Sequence, residues 1–275
     1  MKIPKVMIMA TSDSGGGAGI QADIKAVAAC GGHATTVFAA LTAQNTVGVQ
    51  GIFPIPLDFI QLQFESIMQD IGLDALKTGM LYDLPRVELA AMLISQVRVP
   101  VVVDPVMVAK GGDKLMTDDA IIGIKELLFP LATLITPNLD EAEVLLRRRV
   151  RDQEAMEKAA ADLALLGPRA VLLKGGHLEK EPLDVLFDGR EYYYFKAPRL
   201  NTPHTHGTGC TLASACACLL GKGLALPEAV QDARAVVRHG IINGLALGAG
   251  HGPLHVLAAS NAGPSITAKA FKLLP

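Results

Sequence analysis

Apolar residues in this chain gather into short runs. VMIMA (6–10), ALKTGM (75–80), VPVVVDPV (99–106), ATLITP (132–137) and AVLLKGG (170–176) are each followed by a turn and then by a segment of helical apolar spacing. Such runs of Val, Ile, Leu and Ala are how strands buried on both faces read. The repeated order of strand, turn and helix predicts an α/β fold with a central, mostly parallel sheet and helices on both faces. In DQEAMEKAAADLALLG (152–167), Met156, Ala159, Ala160, Leu163 and Leu166 fall on one helical stripe, so this segment should lie on the sheet. Thr117 before Asp118 and Asp119 reads as a helix start, and Gly31, Gly72 and Gly167 stand where helices should stop. Residues 34–53, rich in β-branched side chains, should form strands at an edge or over a site. YYYF (192–195), after the turn at 188–190, should be a hairpin strand near the other edge. The pattern fades after residue 258. One domain over 1–258 with a tail at 259–275 is the expected organisation.

Composition narrows the partners. A formal net charge of -2 over 275 residues supplies no general basic field, so nucleic acid is not an expected partner and a small polar or anionic ligand fits better. Cys30, Cys210, Cys216 and Cys218 include no CxxC pair and no spaced His/Cys set, which argues against a structural metal and a disulfide framework. The N-terminal apolar run is too short for a signal peptide. No stretch approaches the roughly 20 apolar residues of a membrane span. A cytoplasmic protein without a membrane partner is expected.

In an open parallel sheet, ligands bind where the strands end, which directs attention to Asp13 with its glycine loop, Lys77, Asp104, the stretch 138–141, Lys174 and the GTGC turn. The loop SDSGGGAGIQAD (12–23) holds Gly17-x-Gly19-x-x-Ala22, a form of the dinucleotide fingerprint. No acid lies between Val37 and Val47 to take ribose hydroxyls, and no GxxxxGK[ST] is present. What remains is a glycine-rich floor for close ligand approach, with Asp23 near the helix start, or simply a tight turn.

HGTGCT (206–211) is the sharper signal. Its glycines permit unusual backbone angles, and the amides of Gly207, Thr208, Gly209 and Cys210 would point unpaired from a helix start, which suits a phosphate. The same field should lower the Cys210 thiol below its free value of about 8.5 and let a thiolate act as a base. The competing reading is a packed small apolar residue, which is the reading given to Cys30, Cys216 and Cys218. In TPNLDEAEVL (136–145), Asn138 and Glu141 can share a crevice with Asp104. Together they suit Mg²⁺ held through oxygen ligands and water, against the plainer alternative of an acid-rich helix start. Lys174 offers a point charge for phosphates or is merely solvated. His204 and His206 invite a Cys-His nucleophile, which is disfavoured because neighbours in a turn do not make that hydrogen bond and no orienting acid is near in sequence.

These stretches, with LTAQNTVGV, KTGML, VVDPVMVAKGG, LLKGGH and GHGPLH, resemble the hydroxymethylpyrimidine and phosphomethylpyrimidine kinases of thiamine biosynthesis, within the ribokinase-like superfamily, over most of residues 4–256. The resemblance implies a three-layer α/β/α fold with a minimal β lid. It implies ATP-dependent phosphorylation of 4-amino-5-hydroxymethyl-2-methylpyrimidine and then of its monophosphate. It assigns Gln44 to the aminopyrimidine edge and Ala18, Gly19, Asp23, Met80 and Val106 to the acceptor pocket. Lys174, Asn138 and Thr208 fall to ATP, and Asp104 and Glu141 to Mg²⁺. Gly207, Thr208 and Gly209 would form an anion hole with Cys210 taking the hydroxyl proton. It also implies a homodimer. Pyridoxal kinase activity and non-catalytic nucleotide binding are the alternatives.

Overall fold

Strand β1 (Lys5–Asp13) divides the interior by its own alternation: Val6, Ile8 and Ala10 face one helical layer, Met7 and Met9 the other. The computed structural model describes residues 2–107, 115–176 and 182–258. After β1 come α1 (Gly19–Ala29), β2 (His33–Asn45), β3 (Gly48–Pro54), α2 (Leu57–Asp70), β4 (Ala75–Thr78), α3 (Leu84–Ile94) and β5 (Val101–Val103). Helix α4 (Asp118–Gly123) runs on through a π turn and a 3-10 turn to β6 (Leu134–Ile135). Then follow α5 (Leu139–Leu146), α6 (Gln153–Ala164), β7 (Val171–Leu173), β8 (Leu183–Phe187), β9 (Tyr192–Lys196), α7 (Thr208–Gly221) and α8 (Leu226–Ile242).

The strands form one sheet in the order β3-β2-β1-β4-β5-β6-β7-β8-β9. Pairing is parallel from β2 to β7 and antiparallel for β3, β8 and β9. Helices α1, α7 and α8 cover one face, and α2 to α6 the other. The expected α/β/α layering is the observed one. The β-branched segment supplies β2 and the edge strand β3, and YYYF lies in the opposite edge strand β9.

The punctuation follows local physics. Gly31, Gly72 and Gly167 all take positive φ after helix ends. Met156, Ala159, Ala160 and Leu163 of α6 are fully buried, and Asp152 caps that helix by accepting the Ala155 amide hydrogen at 2.8 Å. Thr117 occupies the N-cap of α4 with its backbone alone; its hydroxyl makes no cap bond. Among the described residues, no helix is long and apolar enough to cross a membrane. The tail at 259–275 lies outside the described residues.

Two consequences position the site. The parallel strands β1, β4, β5, β6 and β7 all end at the same side of the sheet, so Asp13, Asp104, Asn138 and Lys174 are delivered to one edge. Helices α1 and α7, packed together on one face, both begin there.

Candidate active site

The glycine loop after β1 is organised by one carboxylate. Asp13 is buried, and its oxygens accept the amide hydrogens of Gly15 at 2.8 Å, Gly17 at 3.1 Å and Ala18 at 2.8 Å; His206 Nε2 lies 3.0 Å away. Burial alone would raise the Asp13 pKa, but the bonds from His206 and from the Ala18 and Gly15 amides override it and hold the carboxyl below its usual range. Three amides of the loop are therefore committed internally. Gly19, at φ +55°, opens α1 and directs its amide at the Cys210 sulfur.

The second glycine turn faces the first. Gly207 is the N-cap of α7 at φ +87°, and a Cβ there would collide with the Gly17 carbonyl. The Thr208 amide reaches Thr205 O at 3.4 Å and the Thr211 amide Gly207 O at 2.9 Å. Among the described residues, the Gly209 and Cys210 amides have no main-chain acceptor. Those two, with the positive end of α7, are the donors a phosphoryl group would meet. A Cβ on Gly209 would stand 3.4 Å from both Asp104 Oδ2 and Lys174 Nζ, so these charges lie directly beside the turn.

Lys174 ends β7 and bridges the acids. Its Nζ is 3.1 Å from Asp104 Oδ1, which also accepts the Thr136 hydroxyl at 2.9 Å, and 4.0 Å from Glu141 Oε2. Asn138 and Glu141 form a capping box on α5: Asn138 Oδ1 accepts the Glu141 amide at 2.8 Å, and Glu141 Oε2 accepts the Asn138 amide at 2.7 Å. The plainer reading of this motif is thus also true. Burial pushes the Glu141 carboxyl up to about 7 even though Lys174 pulls it down. Burial works against the Lys174 charge, but Asp104 and Glu141 more than compensate and raise its pKa.

Every sequence-predicted site residue except Asp23 lines one cavity of about 720 Å³, a size suited to small-molecule ligands. Ala18, Gly19, Gln44, Met80 and Val106 form one part of its wall; Thr208, Gly209, Asn138, Glu141 and Lys174 are in the same wall. Gln44 Oε1 accepts the Thr42 hydroxyl at 3.1 Å. Asp23 was expected on this wall and is not there. It lies one helical turn beyond Gly19, fully buried, with Lys77 Nζ 2.9 Å from each of its oxygens and the Ser214 hydroxyl donating to it at 2.7 Å. Lys77, given no role from sequence, takes the place on the cavity wall. Burial opposes its charge, but Asp23 outweighs that and holds the ammonium above the ordinary lysine pKa.

The expected thiolate is also corrected. Burial pushes the Cys210 thiol up to about 12; Lys77 and the Gly19 amide pull it down, while Asp23 and Asp104 add to the rise. A helix start favours a thiolate, but here desolvation and two carboxylates win, so the resting group is a thiol. The acid absent from the sequence neighbourhood of His206 is supplied by the fold as Asp13. Arg234, also on the wall, was not anticipated; it binds Asp184 at 2.6 Å, and Asp184 accepts the Gly175 amide at 2.9 Å next to Lys174. The signal available for Lys77 was a lone lysine inside a strand run; Arg234 had none.

A family model described as phosphomethylpyrimidine kinase matches residues 13–255. The chain belongs to that family. It is 48% identical over 251 residues to the hydroxymethylpyrimidine/phosphomethylpyrimidine kinase of Streptomyces coelicolor, covering 91% of this chain and 93% of that one. It is 49% identical over 259 residues to the thiamine biosynthesis bifunctional protein ThiED of Geobacter sulfurreducens, covering 93% of this chain and 53% of that protein. Among solved structures, an ADP complex of Bacillus subtilis pyridoxal kinase matches with a TM-score of 0.87 at 36% identity, covering 94% of this chain and 98% of that one. The family has the ribokinase-like architecture seen here.

Two outcomes follow from the buried charges. Lys77→Met leaves Asp23 without its cation and should cost about 3–5 kcal/mol in urea unfolding, while Lys77→Met with Asp23→Leu should recover most of that. Equal losses in both variants would contradict the pair. In the ligand-free protein, iodoacetamide should modify Cys210 at least about tenfold more slowly than free cysteine near pH 8, with the rate climbing toward the thiol's value of about 12. Peptide mass mapping that finds rapid modification at neutral pH would restore the thiolate.

Proposed function

We propose that this chain transfers the γ-phosphoryl group of ATP to the hydroxymethyl group of 4-amino-5-hydroxymethyl-2-methylpyrimidine, and then to the resulting monophosphate to give the diphosphate, in thiamine biosynthesis. The observation that carries this reading is the position of the Gly209 and Cys210 amides. They open beside Lys174 and Asp104 in the same cavity whose wall includes Gln44, Met80 and Val106. Phosphoryl transfer asks for little covalent help, so placing two substrates in line and meeting the developing charge supplies most of the rate.

In this reading Gln44 pairs with the aminopyrimidine edge through its amide, and Ala18, Gly19, Met80 and Val106 complete the acceptor pocket. Lys174, Asn138 and Thr208 meet the phosphates of ATP. Of the donors expected at 207–210, the Gly209 and Cys210 amides, which have no main-chain acceptor among the described residues, hold the migrating phosphoryl group. Cys210, a thiol at rest, first releases its own proton to solvent, and the thiolate so formed, with the Lys77 ammonium as counter-charge, accepts the hydroxyl proton as the new O–P bond forms. Asp23 acts on the pocket through Lys77.

The donor set fits Mg²⁺. Asp104 Oδ1 and Glu141 Oε2 are engaged with Lys174 and the α5 cap, leaving one oxygen on each carboxylate. Among the described residues, no three His, Cys, Asp or Glu side chains gather as a metal site. Two carboxylate oxygens suit an ion that keeps much of its water and leans on nucleotide phosphates. When bound, it would neutralise phosphate charge. The proposal extends to one domain over 1–258 acting in the cytoplasm as a homodimer, with small molecules rather than nucleic acid or membrane as partners.

The structural match to a pyridoxal kinase makes pyridoxal the second acceptor to test. ADP release should be measured separately with the pyrimidine alcohol, its monophosphate and pyridoxal. The first two should exceed pyridoxal in kcat/KM by at least about tenfold, because pyridoxal leaves the Gln44 amide imperfectly paired. The reverse order would make the chain a vitamin B6 kinase, and release with none of the three would leave a binding protein. Cys210→Ala should lower kcat by about 10²- to 10⁴-fold with little change in KM for the alcohol. An unchanged kcat would remove the proton-acceptor role.

A further inference from the structure

The Asp13–His206 pair lies outside the chemistry assigned above, yet it joins the two loops that chemistry needs. Asp13 sits at the end of β1 and gathers three amides of the first glycine loop. His206 immediately precedes Gly207, and its Nε2 meets the same carboxylate 3.0 Å away, 193 residues distant in sequence. The imidazole lies against Gly17, where a Cβ would collide with its Cδ2. On its other side the His206 main chain is held by bonds to Gly252 O at 3.1 Å and from the Leu254 amide at 3.3 Å. The ring therefore sits between a fixed backbone and the loop that floors the acceptor pocket.

From this geometry we propose that Asp13 and His206 are positioning residues that clamp the acceptor floor at 15–18 to the phosphoryl-holding turn at 207–210. The clamp sets the distance between the acceptor hydroxyl and the migrating phosphoryl group. Neither side chain takes or gives a proton in the reaction. Among the described residues, contacts at the seam include the Asp13 bonds, the approach of Gly17 O to Gly207, and the Gly19 amide on the Cys210 sulfur. Of these, only the Asp13–His206 contact joins two side chains across the seam, so its loss should leave the loops present but loosely spaced. A displacement of about 1 Å between reacting groups can cost about 100-fold in rate without loss of binding.

The inference rests on the phosphoryl-transfer reading, and the test separates the two. His206→Ala, His206→Gln, Gly17→Ala and the double variant Gly17→Ala/His206→Ala are compared with the unaltered chain, using the pyrimidine alcohol and ATP. Glutamine places its amide nitrogen near the reach of the imidazole Nε2 and can still donate to Asp13. His206→Ala should lower kcat by about 10- to 100-fold while KM for ATP moves less than about threefold. The ratio of ADP formed to pyrimidine phosphorylated should rise at least about twofold as water competes for the loosened site. His206→Gln should restore coupling to within about threefold of the unaltered chain. Gly17→Ala, which pushes the ring away, should reproduce the His206→Ala defect, and the double variant should be no worse than either single change. Wild-type kcat and coupling in a folded His206→Ala protein would overturn the clamp. So would a defect in which KM and kcat change without any loss of coupling. Absence of turnover in the unaltered chain would instead overturn the proposed function.

Discussion

The whole arrangement depends on a close approach of two backbones. Gly17 and Gly207 meet so tightly that Gly207 has no space for a side chain, and its positive φ is the conformation that lets α7 start at that point. This contact seats the first turn of α7 against the start of α1 and the strand ends. Gly209 can then lie beside Asp104 and Lys174, and the Gly19 amide can reach Cys210. A side chain at the seam would move a helix start, and with it every donor aimed into the cavity.

Around that seam the protein buries charge in two neighbouring groups. Lys77, on the cavity wall, and Asp23, behind it, neutralise one another with Ser214 as a third partner. On the wall, the single ammonium of Lys174 lies between two carboxylates, Asp104 and Glu141, and burial pushes the second up to about 7, toward its neutral form. A buried ion pair is a poor source of stability, since desolvation offsets most of the attraction. Its retention in an otherwise aliphatic layer makes sense where a fixed field is needed inside a pocket. The same desolvation keeps Cys210 protonated at rest, so the field that aids its deprotonation acts on a thiol.

The legible parts of the site were those with a local cause. Two glycine turns, each at a strand end or helix start, announce close backbone approach. An Asn three residues before a Glu announces a helix start, and a lysine closing an apolar run announces a strand end that meets solvent or ligand. Asp23 failed because helical phase alone does not say whether a side chain one turn into α1 faces the cavity or the neighbouring layer; Lys77 and Ser214 supply the answer. His206 was discounted for want of an acid nearby in sequence, and that acid arrived from β1.

The sequence by itself determined the order of strands and helices, the two-faced burial of the sheet and the glycine turns, because hydrophobic periodicity and φ preference act over a few residues. Only the tertiary structure decided which carboxylate meets which cation, whether the thiol is ionised and which loops are tied together. Those outcomes follow from desolvation and from contacts between groups 33 to 193 residues apart, which no local pattern encodes.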